Sequence, residues 1–220
     1  MNVLELFAGS RSVSRAAVAK GHNTFSIDWT DYDGIDLVAD IAKLKIEDVP
    51  FIPDMIWASP DCTTYSIAGH NSHRSGNQRD GFVCLSEYAH QCDETNIHFI
   101  SLIKQWLEIN PNMVFFIENP RGLLRHMEWM KEFRRETVWY CKYGDSRAKP
   151  TDIWTNSTDW TPRPLCANHR YDKDGNVIDR KCHHEIAQRG MKTGTQGLKL
   201  TYDKSKIPVR LCLEIINSVK

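Results

Sequence analysis

Four places in this 220-residue sequence set chemically able side chains where the chain turns sharply. Cys62 follows Ser59-Pro60-Asp61 directly after the apolar run Met55 to Ala58. The proline stiffens the approach, so a thiol there can be aimed, and as thiolate it is a nucleophile. Glu118, in Glu118-Asn119-Pro120, closes the apolar run Met113 to Ile117. A carboxyl at the end of such a strand can hold its proton at neutral pH and donate it. Gly9 and Asp28 are 19 positions apart and each follows a short apolar stretch. With that spacing a glycine turn and an acid meet a nucleotide, the acid accepting from ribose hydroxyls. The loop Gly9-Ser10-Arg11-Ser12 lacks the triple glycine of a dinucleotide site, so a pyrophosphate ligand is not indicated. Last, Cys166-x2-His169 and Cys182-His183-His184 offer a tetrahedral zinc set of Cys166, His169, Cys182 and His184. Each signal alone also has a plainer reading: an ordinary turn, an inert buried cysteine, a carboxylate capping the next turn, unmetallated surface residues.

The elements that must position these groups alternate. Asn2 to Phe7 reads as a buried strand, Ser12 to Lys20 as a helix closed by Gly21, and Thr24 to Asp28 as a second strand. Asp36 to Ala39 and Met55 to Ala58 add strands. Residues 64–93, polar and containing Gly69, Gly76 and Gly81, read as a long mobile loop. Helical spacing returns at Glu94 to Glu108 and Leu123 to Glu136, with a strand at Met113 to Ile117 between them and strands near Thr137 to Tyr143 and Asp152 to Thr155. Strand–helix alternation predicts an α/β fold with a mostly parallel sheet. The expected organisation is a catalytic and cofactor-binding unit over 1–155, a small irregular segment over 156–206, and a helix opened by Ile207-Pro208 over 207–220.

Composition narrows the class. The chain is neutral, with 28 basic and 28 acidic residues, but residues 28–61 hold nine acids against two bases, while 121–150 hold eight bases against four acids and 161–210 eleven against five. Such asymmetry suits an enzyme whose polyanionic partner touches one side, although clustering on solvated faces would look the same. Seven scattered cysteines fit reduced thiols better than a disulfide framework. No apolar run approaches a bilayer span and Met1 to Glu5 lacks a basic leader, so the expectation is a cytoplasmic protein without a membrane partner, acting as a monomer.

Together the motifs resemble the DNA (cytosine-5) methyltransferase family. Leu6-Phe7-Ala8-Gly9 is similar to the family's first motif, whose Phe and Gly line the S-adenosylmethionine site. Asp28 stands where an acid holds the ribose, and Asp40-Ile41 resembles the pair beside the adenine. Ser59-Pro60-Asp61-Cys62-Thr63-Thr64-Tyr65-Ser66 resembles the Pro-Pro-Cys-Gln-x-Phe-Ser stretch at Pro60, Cys62 and Ser66. Glu118-Asn119-Pro120 resembles Glu-Asn-Val, and Tyr143 to Lys149 a degraded Gln-x-Arg-x-Arg block with Arg147 and Lys149 at its basic positions. Ile207-Pro208-Val209 resembles the last motif. The second proline is replaced by Asp61 and the glutamine by Thr63. Pro150 to Asn156 and Thr193 to Gly197 are similar to the compact members carried by phages.

The resemblance implies the S-adenosylmethionine-dependent, Rossmann-like methyltransferase fold and transfer of a methyl group to C5 of cytosine in double-stranded DNA. Cys62 would add to C6, Glu118 would protonate or hydrogen-bond N3, and Arg147 and Lys149 would complete the catalytic set. Phe7, Gly9, Asp28, Asp40, Ile41 and Pro60 would form the cofactor site. The target base would flip into the pocket beneath residues 67–93, with Arg74 and Arg79 on phosphates. Residues 156–206 would be the target-recognition segment, whose small size suggests a second reading, a relative acting on free cytosine nucleotide or single strands; a rival from another class is an inactive DNA-binding relative.

Overall fold

A computed structural model describes residues 1–171, 173, 177–185, 198 and 201–219. Strands β1 (Asn2–Leu6), β2 (Asn23–Asp28), β3 (Leu37–Val38) and β4 (Met55–Ala58) lead into helix α2 (His70–His73) and a hairpin of β5 (Arg74–Asn77) and β6 (Gly81–Cys84); helix α1 (Ser12–Val18) joins β1 to β2. Helix α3 (Glu87–Ile109) precedes β7 (Val114–Pro120), β8 (Arg134–Trp139) and β9 (Pro150–Thr155). The chain ends with a small ladder, β10 (Arg170–Tyr171) with β11 (Val177–Asp179), and helices α4 (Thr201–Ser205) and α5 (Val209–Ser218).

The main sheet runs β3-β2-β1-β4-β7-β9-β8. Its first five strands are parallel, while β9 and β8 pair antiparallel. The central strands are apolar on both faces because both are covered. Leu4, Leu6, Ile56, Ala58, Phe115 and Ile117 meet Phe99, Ile103 and Trp106 of α3, whereas Val3, Met55, Trp57 and Phe116 meet α1 and α5 through Val13, Ala17, Leu211 and Ile215. Glu5 is the exception in β1. Its buried carboxylate accepts the Val13 and Ser14 amides at 3.2 and 2.7 Å, satisfying the first turn of α1 and meeting its positive end.

Register decides where the chemistry lies. Leu6 pairs with Ile27 and Ala58, and Ala58 pairs with Ile117. The next residues, Phe7, Asp28, Ser59 and Glu118, therefore leave four adjacent parallel strands at one level. Strands β2 and β4 flank β1 on opposite sides, which opens the crevice at the carboxyl ends where α/β sheets hold ligands.

Two segments differ from the sequence expectation. Residues 64–93 are not a structureless loop: two single turns, α2, the β5–β6 hairpin and the first residues of α3 fill them. Ser86 starts α3 by accepting the Ala89 amide at 3.2 Å, so the helix begins well before Glu94. Leu123 to Glu136 is not an amphipathic helix. It forms two 3-10 turns, Leu123–His126 and Glu128–Met130, and then enters β8. Leu123, Leu124, Met127 and Met130 bury themselves under the sheet edge; their spacing imitates a helical stripe, but tertiary packing draws the following residues into strand pairing.

Candidate active site

The turn from β1 to α1 is tight enough to force Phe7, Gly9 and Arg11 to positive φ, at 54°, 47° and 55°. Only glycine accepts that conformation freely, and such backbone strain concentrates at ligand clamps. Asp28 braces the turn: Gly9 N–H donates to its Oδ2 and Thr30 N–H to its Oδ1, both at 2.9 Å. A carboxylate offers about four acceptor positions, so two remain for a ligand's hydroxyls. Asp40 caps the turn Ile41–Lys43 through the Ala42 amide at 3.0 Å. Phe7, Trp29, Asp40, Ile41, Asp61 and Tyr88 line a cleft of about 300 Å³. Trp29 and Tyr88 escaped the sequence reading. Trp29 is 76% exposed beside Asp28, and an unpacked tryptophan directly after a strand-end acid was the available signal.

Pro60 is buried and its carbonyl accepts the Asn119 side-chain amide at 2.8 Å. That bond ties the turn carrying Cys62 to the strand carrying Glu118. Asp61, which replaces the family's second proline, accepts the Thr63 amide at 2.5 Å and the Tyr88 hydroxyl at 2.7 Å, so the turn is held from the α3 side too. Cys62 is exposed and directly follows Asp61, which lines the cleft. Desolvation, with Asp61 and Glu118 adding and Lys149 opposing, pushes its thiol up to about 11. Glu118 is 4% exposed and accepts the Tyr140 hydroxyl at 2.9 Å.

Lys149 faces inward. Its Nζ donates to the Lys204 carbonyl at 3.1 Å and lies 4.6 Å from the Tyr140 ring centroid. Burial pulls its pKa down, while Glu118 and Cys62 are near enough to oppose the fall. Arg147 stands behind the site, 5.8 Å from the Tyr140 ring centroid and within electrostatic reach of Glu118, with its donors turned elsewhere. It is 5% exposed, paired with Asp145, and donates to the carbonyls of Lys204 and Lys206 at 3.0 and 3.1 Å. A guanidinium with its donors so engaged is a strut for the returning chain. That chain then meets the cofactor turn, with Ile207 N–H donating to Ser12 Oγ at 3.2 Å and the rings of Tyr202 and Tyr32 5.5 Å apart.

Arg74 also departs from expectation. It is fully buried, pairs with Asp93 at 2.7 Å, donates to the Thr64 carbonyl at 2.9 Å and lies 4.3 Å from the Tyr65 ring centroid. It anchors the stretch after Cys62 to α3 and is unavailable to a phosphate, whereas Arg79 is exposed at the hairpin tip. Among the Cys/His residues, ligand atoms of Cys166, Cys182 and His184 come together within 4.8 Å, but the fourth member is Cys141. His169 stands beside the group, its ring 4.3 Å from that of His184 and its Nε2 at 3.2 Å from the His184 carbonyl. Residues 193–197 of the phage-like pattern lie outside the described residues.

The family resemblance read from the motifs is borne out by a relative. A probable DNA (cytosine-5)-methyltransferase of Frog virus 3 (isolate Goorha) is 25% identical over 230 residues, covering 99% of both chains. Among solved structures, the Entamoeba histolytica methyltransferase EhMeth matches 75% of this chain and 56% of its own, with a TM-score of 0.53 at 14% identity. A Spodoptera frugiperda DNMT2 variant matches 74% of this chain and 53% of its own, with a TM-score of 0.46 at 16% identity. This chain thus spans about half the length of the solved proteins it matches. No family model matches it. The fold is the methyltransferase α/β fold, with the Cys/His cluster at its margin. Among the described residues no helix is long and apolar enough to cross a membrane.

Proposed function

We propose that the protein transfers a methyl group to C5 of cytosine in double-stranded DNA. The observation that carries the reading is the juxtaposition of a cysteine turn and a buried glutamate at the ends of adjacent strands β4 and β7, joined by the Asn119 to Pro60 bond and opening beside a nucleoside-sized cleft. The cleft residues fit S-adenosylmethionine. Apolar Phe7 and Ile41 would hold its adenine and Asp40 could accept from the amino group, while Asp28, beside the cleft residue Trp29, keeps acceptor capacity for ribose hydroxyls. When bound there, the cofactor supplies an electrophilic methyl.

The chain's own residues supply the rest. The Cys62 thiolate bonds to C6 of the base, and the displaced π electrons leave C5 nucleophilic as Glu118 donates a proton or hydrogen bond at N3. After C5 gains the methyl, its proton passes to a water acting as base, the C5–C6 double bond re-forms, Cys62 leaves as thiolate and the N3 proton returns to Glu118. Lys149 works against the desolvation that holds the Cys62 proton. Tyr140 keeps Glu118 aimed. The target base must leave the helix to reach these groups, at about a few kcal/mol. Arg79 and Arg135 line a groove between the hairpin and the turns after β7, together with Asp80 and Glu128; Arg125 and Lys131 there are paired with Asp152 and Glu128, so Arg79 and Arg135 are the cations left to meet the DNA backbone.

Duplex DNA bearing 5-fluorocytosine, mixed with protein and S-adenosylmethionine, tests the proposal. A covalent protein–DNA species is expected with wild-type chain and none with Cys62→Ser, because fluorine blocks the final elimination. Labelled methyl transfer to free nucleotide or single strands in preference to duplex overturns the substrate; DNA retardation without any labelling overturns the enzyme reading.

A further inference from the structure

The structure assigns a zinc site to Cys141, Cys166, Cys182 and His184, one that locks the chain after β9 onto the turn that aims Tyr140 at Glu118. Bonds of about 2.3 Å to sulfur and about 2.0 Å to nitrogen, at a tetrahedral angle, set two such ligand atoms about 3.5 Å apart. Cys166 Sγ and His184 Nδ1 are 3.6 Å apart, and all four ligand atoms fall within 4.8 Å of one another. Cys141, Cys166 and His184 are buried, and the Asn168 amide points at Cys166 Sγ from 3.3 Å, the outer hydrogen bond a metal-bound thiolate accepts. Four protein ligands leave no open position, so the site is structural rather than hydrolytic.

The ligands come from three distant stretches of sequence. Cys141 belongs to the turn Tyr140–Tyr143 that follows β8, next to Tyr140 and its bond to Glu118. Around the other ligands, His183 Nε2 lies 3.1 Å from the Asp145 carbonyl and the Glu185 amide donates to Ser146 at 2.8 Å. The stretch that bears Arg147 and Lys149 is thus gripped from both sides of the cluster. Among the described residues of this segment Leu165 and Ile178 are 62% and 60% exposed, so it has use for a further source of order. A metal bound only by the folded chain supplies it.

Purified full chain, stripped with chelator under reducing conditions and titrated with Co²⁺, tests the assignment. The expected result is the absorption of tetrahedral thiolate-bound cobalt, saturating at about one ion per chain and erased by Zn²⁺. Zinc should protect three cysteine thiols from alkylation. Cys141→Ser and His184→Ala should weaken loading at least about ten-fold, whereas His169→Ala and Cys84→Ser should load normally. Wild-type protein that gives no such spectrum, or equal loss from His169→Ala and His184→Ala, overturns the ligand set. The link to the active site rests on the methyltransferase reading and has its own readout. Stripped wild type should keep cofactor affinity but lose methyl transfer, and zinc should restore it; stripped protein that transfers at the loaded rate overturns the link. If no preparation transfers methyl, the cobalt titration still decides the metal site and the fault lies with the proposed function.

Discussion

The side-chain amide of Asn119 donates to the carbonyl of Pro60 across 2.8 Å, deep between β4 and β7. One bond thereby sets the spacing between Cys62, two residues after Pro60, and Glu118, one residue before Asn119. Asn119→Ala should leave that buried carbonyl unpaired and lower stability by about 1–3 kcal/mol. Its effect on methyl transfer should exceed its effect on cofactor affinity, since of the cofactor residues only Pro60 touches this bond, while Phe7, Gly9, Asp28, Asp40 and Ile41 lie around β1, β2 and β3. Denaturant unfolding and calorimetry measure the two; a variant with unchanged kcat would separate this bond from catalysis.

Cys62 should be a slow thiol in the free protein. With its pKa pushed up to about 11, against an ordinary thiol near 9, thiolate at pH 8 is about 100-fold scarcer. The greater nucleophilicity of a more basic thiolate recovers part of this, leaving alkylation about ten-fold slower than for a free thiol. Because the pKa is raised, the rate should keep climbing with pH toward 11 rather than levelling near 9. Iodoacetamide labelling followed by peptide mass spectrometry reads it out. Lys149→Met should move the same profile to still higher pH, by removing the cation that favours the thiolate.

Arg74 and Arg79 should separate cleanly. Arg74→Ala removes a fully buried guanidinium and leaves Asp93 with only the Tyr65 and Cys84 donors, and should cost about 3 kcal/mol of stability. Arg79→Ala should leave the melting midpoint unchanged while lowering the slope of log K against log[salt] for DNA by about one, the share of one phosphate contact. A stability loss at Arg79 or its absence at Arg74 would contradict the burial of these side chains.

Asp28→Ala should weaken S-adenosylmethionine binding by about 1.5–3 kcal/mol, the range for lost charge-assisted hydrogen bonds. The same carboxylate holds the Gly9 and Thr30 amides, so Asp28→Asn, which keeps one acceptor oxygen, should lose less. Calorimetry on both variants distinguishes the loss of a ligand contact from collapse of the turn.

How far the sequence carries can be judged residue by residue. Phe7, Asp28, Cys62 and Glu118 were legible because each follows a short apolar strand, and strand ends in a parallel sheet share one edge. Asp40 and Ile41 were legible through their family pattern alone. Arg74 was misread since a basic residue in a polar, glycine-bearing stretch looks solvated. Its burial depends on Asp93, 19 positions away, and on the Tyr65 ring. The partners of Arg147 were invisible for a similar reason, being carbonyls at 204 and 206.

The sequence by itself determined the strand–helix alternation, the acid, thiol and carboxyl at the strand ends, and the presence of enough cysteine and histidine for a metal. These are local facts, set by apolar periodicity and by which residues interrupt it. Only the tertiary structure decided that Cys141 joins Cys166, Cys182 and His184 while His169 stands aside. Cys141 lies 25 positions before Cys166, within an otherwise buried turn, and nothing in its neighbours marks it. Pairing of β8 with β9 carries that turn to the cluster, and strand pairing is a long-range choice that no local spacing encodes.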